Sequence, residues 1–427
     1  MSTTTPFVSN HCALPASPEE RRSCAYERRV RGKWFFLGTF IFACFLFWWL
    51  PSIVFRLVVH QSDVVEEDVL AISVLALILF VAGYLVPISL GRRHSSERML
   101  DLGKGLAYTA TIFIFVPALI ISIDLLKSHA ALAYGSSDAI PRPYQVVLYT
   151  HMFFGFMYLG AADPEKEGWR RVMTVVALVT LPRLIESLHG GRFFLAQAVV
   201  PAVLIAVARG WVRLSAKRML QLSVLALFII LVPAITRGDF SGEHQEIVQW
   251  FAAGSSLRLY QDNTDLSLNG YCPPFLVSMT AKSIPYGMLD VCVVDFGTLK
   301  NMPATLDRIL TINDPSTFRG TVSGTGSNYL LDLYLFGGLF AVIAGSLLFG
   351  LSCGRFVGWI GKRSLFSGIW AECLTRALMA PRSSLGYVFE RIPSLILATY
   401  FVVFIVWAGR LIKNDISRQV DALEGGQ

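Results

Sequence analysis

The chain has 427 residues, 54% hydrophobic and 16% charged, with 37 Lys and Arg against 30 Asp and Glu. A soluble domain carries about 25% charged residues, and the mean hydropathy of +0.55 excludes a soluble multidomain protein of this length. The net charge of +7 is no nucleic-acid signal, because the basic residues cluster between apolar runs, as the positive-inside rule expects.

Residues 1–33 read as a polar cytoplasmic tail ending in Arg28, Arg29, Arg31 and Lys33. No cleavable signal peptide is visible, and the first apolar run reads as a signal anchor. About ten runs approach the length needed to cross the hydrocarbon. They lie near 34–55, 69–90, 106–126, 144–162, 172–188, 193–208, 219–236, 328–353, 365–381 and 393–410. Runs 172–188 and 365–381 are the least apolar, since each carries ionisable residues. The expected fold is all-α, a polytopic membrane protein with one large external loop containing short helices. Seven helices fill 34–236, the loop is 237–327, three helices fill 328–410, and 411–427 is a second cytoplasmic tail. Arg92, Arg93, Arg98, Lys104, Arg209, Arg213, Lys217 and Arg218 place their short loops inside, so both termini are cytoplasmic. Trp48, Trp49, Trp169, Trp211, Trp359 and Trp407 stand at span ends, as aromatic belts do.

Within the large loop, Ile247, Trp250, Phe251, Leu257 and Leu259 fall at helical spacing. They suit a helix on the membrane surface or packing within the loop. Prolines 273, 274, 285, 303 and 315 break up the remainder. Cys272 and Cys292 share this loop, where an oxidising compartment permits a disulfide. No cysteine pair has metal-ligand spacing.

Ionisable residues inside a membrane are costly and mark functional candidates. Arg183, Glu186, His189 and Arg192 recur at three-residue steps before and after Gly190-Gly191. The alternative is an Arg183–Glu186 pair that merely lets a polar helix insert. Arg319 precedes a Gly/Ser/Thr stretch opening the eighth span, a composition suited to anions but by itself better explained as an ordinary loop-to-helix connection, and Asp332 follows about a turn inside the membrane. Glu372 and Arg376 are spaced for a helix-internal salt bridge, and Arg382 and Arg391 flank the ninth span, where snorkelling explains them equally well. Arginine binds phosphate bidentately and stays charged. A pyrophosphate on a membrane lipid therefore fits an external surface rich in arginines. There is no Asp-x-Asp, P-loop, HExxH or nucleophile elbow, so an enzyme here is expected to work by electrostatics, with no metal or cofactor.

Three short stretches resemble the O-antigen polymerase (Wzy-type) and oligosaccharide repeat-unit polymerase family. The strongest is Gly324-Thr-Gly-Ser-Asn-Tyr-Leu-Leu-Asp332-Leu-Tyr334-Leu-Phe336-Gly337. The others are Ser283-Ile-Pro285 and Gly190-Gly191-Arg192. The likeness covers 170 to 353. The acidic position is often Glu in the family and is Asp332 here, and Tyr286-Gly287 stands where a basic or aromatic pair is usual. The resemblance implies a glycosyltransferase of the bacterial inner membrane that polymerises undecaprenyl-pyrophosphate-linked oligosaccharide for lipopolysaccharide O-antigen. A chain-length regulator and a flippase are the protein partners it implies, with membrane lipid and no nucleic acid. Arg183, Arg192, Arg319 and Arg382 would bind the pyrophosphate, and Asp332, His189 or Glu186 would act as general base. An O-antigen ligase is the nearest rival, since it uses the same arginine logic. A transporter or flippase predicts two similar halves with paired broken helices, which the sequence does not display. A structural subunit predicts that arginine substitutions outside the loops are tolerated.

Overall fold

The computed structural model describes residues 18–51, 53, 65–86, 97–127, 141–188, 192–212, 257, 260, 293–296, 299–303, 328–389 and 391–424. The helices are α1 (Pro18–Cys44), α2 (Glu67–Leu85), α3 (Glu97–Lys127), α4 (Arg142–Ala161), α5 (Pro164–Glu167), α6 (Trp169–Leu188) and α7 (Arg192–Ala208). After them come α8 (Tyr329–Ile360), α9 (Ser367–Ala377), α10 (Leu385–Phe389) and α11 (Ile392–Glu424). A π-helical turn, Phe45–Trp49, ends the first span, and a 3-10 turn, Ala380–Arg382, follows α9. Between α7 and α8 lies one antiparallel pair, β1 (Val293–Phe296) with β2 (Leu299–Pro303), in register Val293 with Pro303 and Phe296 with Leu299. Apart from that pair the described residues are almost wholly helical.

Five helical stretches are long and apolar enough to cross a membrane: Val30–Trp49, Glu67–Leu85, Met99–Lys127, Tyr329–Ile360 and Leu385–Leu411. The chain is a membrane-embedded helical protein. Its outward-facing side chains agree: Phe113, Phe340 and Phe401 are exposed, a surface that water penalises and lipid accepts. Of the other expected spans, 144–162 and 172–188 form α4 and α6, 193–208 forms the shorter apolar helix α7, and 219–236 lies outside the described residues.

Close backbone approach organises the bundle. A Cβ at Gly83 would collide with the Leu347 carbonyl, one at Gly350 with the Phe80 carbonyl, and one at Gly354 with the Tyr84 carbonyl. Without a hydrophobic drive between helices, such small residues supply the contact area. Phe40, Phe80 and Tyr84 stack in the resulting seam, and Phe349 meets Phe80 edge-on.

At one end of the bundle Arg209 fastens helix termini. Its guanidinium donates to the carbonyls of Leu159, Gly160, Ala162, Ile360 and Lys362. These are the orphan acceptors at the C-termini of α4 and α8, where a cation also complements the helix dipole. The loops read from charge as lying on one side, at 163–171, 209–218 and 354–364, thus begin or end together.

Two expected spans are built differently. The run 365–381 is no continuous helix. It is α9, of 11 residues, about 16 Å long against roughly 30 Å of hydrocarbon, followed by the turn at Pro381 and by α10. Every residue of α9 but Trp370 is buried, so its backbone break is shielded by protein, the condition under which a membrane tolerates one. The run 328–353 also breaks, at Gly337 and Gly338. Tyr329 packs on Phe349 with ring centroids 5.5 Å apart, whereas a straight helix would separate these residues by about 30 Å. A Cβ at Gly345 would strike the Leu333 side chain. The first limb, through Phe336, therefore folds back along the second, and Asp332 sits on a limb inside the bundle rather than on a helix entering it.

Candidate functional site

The break after α9 brings Asp332, Arg376 and Arg391 inside the bundle. Asn328 caps the fold-back limb, its Oδ1 accepting from Leu331 N at 2.7 Å, and places Asp332 in the first turn. Asp332 is only 2% exposed. Its Oδ2 accepts the backbone N–H groups of Leu385 at 2.8 Å and Gly386 at 3.3 Å. These are orphan donors at the start of α10, which Ser384 also caps by accepting from Tyr387 N at 3.1 Å.

Tyr387 connects this end to α9 and α7. Its carbonyl accepts from Arg376 Nη1 at 3.0 Å, its ring lies under that guanidinium at 4.9 Å, and Gln197 Nε2 reaches its hydroxyl at 3.3 Å. Arg376 and Glu372 stand 3.6 Å apart, the helix-internal pair expected from their spacing. Arg391 departs from the snorkelling reading. It is 4% exposed and stacks 3.5 Å over the Tyr149 ring, an arrangement arginine's planar cation favours.

Tyr149 then bridges to the α6 cluster, because Arg183 lies 4.9 Å from the same ring. Arg183 and Glu186 form a buried ion pair at 2.5 Å. The Ser122 hydroxyl of α3 sits 3.2 Å from Glu186 Oε1, and Arg183 Nε also faces Met152 Sδ. His151, between Arg183's neighbours Tyr149 and Met152 in the chain, is 1% exposed, and no hydrogen bond reaches its Nε2 among the described residues. The buried polar groups thus form two clusters, one of Asp332, the start of α10, Arg376 and Gln197, the other of Arg391, Tyr149, Arg183, Glu186 and Ser122.

Arg382 stands apart from both clusters. It is exposed, with its guanidinium 5.5 Å from the Phe47 ring. The π-helical turn that presents Phe47 also sends Trp48 Nε1 to the Pro381 carbonyl at 2.8 Å. The loop touches the site too: Tyr260 is buried and packs edge-on against Tyr334 at 5.4 Å. Leu257, one of the helically spaced loop residues, is fully buried.

Of the residues expected from sequence, Arg183 and Glu186 share one cluster, Asp332 sits in the other, and Arg382 belongs to neither. His189 and Arg319 fall outside the described residues, as do Cys272, Cys292 and most of 243–260. Arg192 opens α7, with its side chain outside them. Sequence reasoning missed His151, Tyr149, Gln197, Tyr387 and the two amides that hold Asp332. His151 carried a usable signal, a titratable residue in an apolar run. The amides carried none, because every residue but proline has one. No group of three or more His, Cys, Asp or Glu is placed to hold a metal among the described residues. Comparison of the chain with protein-family models, curated proteins and solved structures finds no match.

Proposed function

We propose that this chain polymerises oligosaccharide repeat units carried on undecaprenyl pyrophosphate, at the periplasmic face of the bacterial inner membrane, with both termini cytoplasmic. The observation that carries the reading is the broken segment between α9 and α11. Arg376 and Arg391 are held inside a lipid-facing bundle, with the exposed Arg382 between them in the chain. Charge stays inside such a bundle only where it is paired or used. Asn328 to Phe336, within the polymerase-like stretch, form the limb that packs against this segment.

In the proposed reaction, an acceptor sugar hydroxyl attacks the anomeric carbon of the growing glycan. The new bond forms as the bond from that carbon to the pyrophosphate oxygen breaks, and the lipid pyrophosphate leaves. Negative charge develops on that oxygen. Arg183, Arg192, Arg319 and Arg382 are the groups assigned to neutralise it, because preorganised donors act where charge appears. Asp332, Glu186 or His189 takes the hydroxyl proton.

The test is an electrophoretic profile of surface and lipid-linked glycans from cells lacking the gene. The expected outcome is loss of the long ladder, with a single repeat unit left on the lipid core. Bare core with accumulated long lipid-linked polymer means a ligase, and an unchanged ladder removes both readings. Arg192→Ala and Arg319→Ala proteins at normal abundance are expected to lose the ladder as well. A full ladder from both would take the arginines out of the reaction.

A further inference from the structure

The large loop returns to the bundle as a helix that folds back on itself, and Asp332 is the group that ties that limb to the broken segment. Three observations converge on it. Its Oδ2 accepts two consecutive amides, those of Leu385 and Gly386. Those amides open α10, whose next residue, Tyr387, is gripped by Arg376 and Gln197. The limb itself is held on its other sides, by Tyr329 against Phe349 and Trp48, and by Tyr334 against Tyr260 of the loop.

We propose that Asp332 is a positioning residue. It latches the fold-back limb to the start of α10 and thereby sets the segment that carries Arg382 and Arg391. One oxygen that accepts two consecutive N–H groups is a directional tie. The two amides commit that oxygen to the backbone of α10, a tie that does not need the basicity of the carboxylate. Only the activity readout rests on the polymerase reading.

The experiment compares Asp332→Asn with Asp332→Glu, and measures hydrogen exchange on the full-length protein in detergent. Asparagine keeps the reach and the acceptor oxygen but loses the basicity. Glutamate keeps the basicity but moves the oxygen by one methylene. The latch predicts near-normal protection of the Leu385 and Gly386 amides in Asp332→Asn, with a longer glycan ladder than Asp332→Glu supports. It also predicts that these amides exchange roughly ten-fold or more faster in Asp332→Glu and Asp332→Ala. A ladder that survives in Asp332→Glu and vanishes in Asp332→Asn would overturn the proposal and return Asp332 to proton transfer. Normal exchange of both amides in Asp332→Ala would overturn it too. Should loss of the gene leave the glycans unchanged, the polymerase reading fails while the exchange measurement still decides the latch.

Discussion

A charge inside a lipid-facing bundle survives only with a partner, and the partner decides what a substitution does. Arg183 and Glu186 are each about 2% exposed at the side chain and lie 2.5 Å apart. Removing one leaves the other buried and uncompensated, at a cost of about 3–5 kcal/mol. Replacing both with apolar residues removes the desolvation penalty along with the attraction. We therefore expect Arg183→Met or Glu186→Leu alone to lower the thermal midpoint in detergent strongly, and the double variant to recover most of the loss. Additive losses in the double would mean that the two side chains stabilise independently. The pair itself was legible from a three-residue spacing. Arg209 was legible only as a basic residue near a loop. Its donation to five carbonyls depends on two helix ends remote in sequence.

Among the elements, the break in α8 has the sharpest consequence. Gly338 holds φ 62° and ψ −155°, a region essentially reserved for glycine. Nothing lies within 4 Å of where its Cβ would be, so a substitution meets backbone strain and no steric clash. Gly338→Ala is expected to cost about 1–3 kcal/mol, read as a lower thermal midpoint with unchanged helical content. An unchanged midpoint would mean that the limb is not folded back as described. The sequence pointed to one crossing helix here and another at 365–381, for a physical reason. Hydropathy sums apolar residues along a window and is blind to chain reversal, so two limbs joined by Gly337 and Gly338 score as one span. The short α9 likewise scored as a span because its burial among α4, α7 and α8 is a tertiary property.

At the scale of the whole molecule, the end held by Arg209 also carries a network that responds to acid. Burial alone would raise the Glu167 carboxyl. Hydrogen bonds from Tyr158 at 2.7 Å and the Asp163 N–H at 3.0 Å, with Lys104 at 3.0 Å, outweigh it and hold the group below its ordinary value. A carboxyl lowered on folding adds stability that is fully present above its unfolded value, about 4.3, and is lost as pH falls through the lowered one. Glu167→Gln should therefore flatten the acid limb of thermal midpoint against pH, below about pH 5. A limb as steep as that of the unaltered protein would assign the acid response to other groups. By itself, the sequence determined that this is a helical membrane protein, where most of its long apolar helices lie, and that charged residues in apolar runs would matter. Those conclusions follow from transfer free energy and helical period, which act residue by residue along the chain. The tertiary structure alone decided that two apparent spans are broken, that Asp332 meets the amides of Leu385 and Gly386, and that Tyr149 lies between Arg183 and Arg391. Each of these depends on groups distant in sequence. Backbone donors and ring faces recur throughout the chain, and packing alone selects the few that meet a charge.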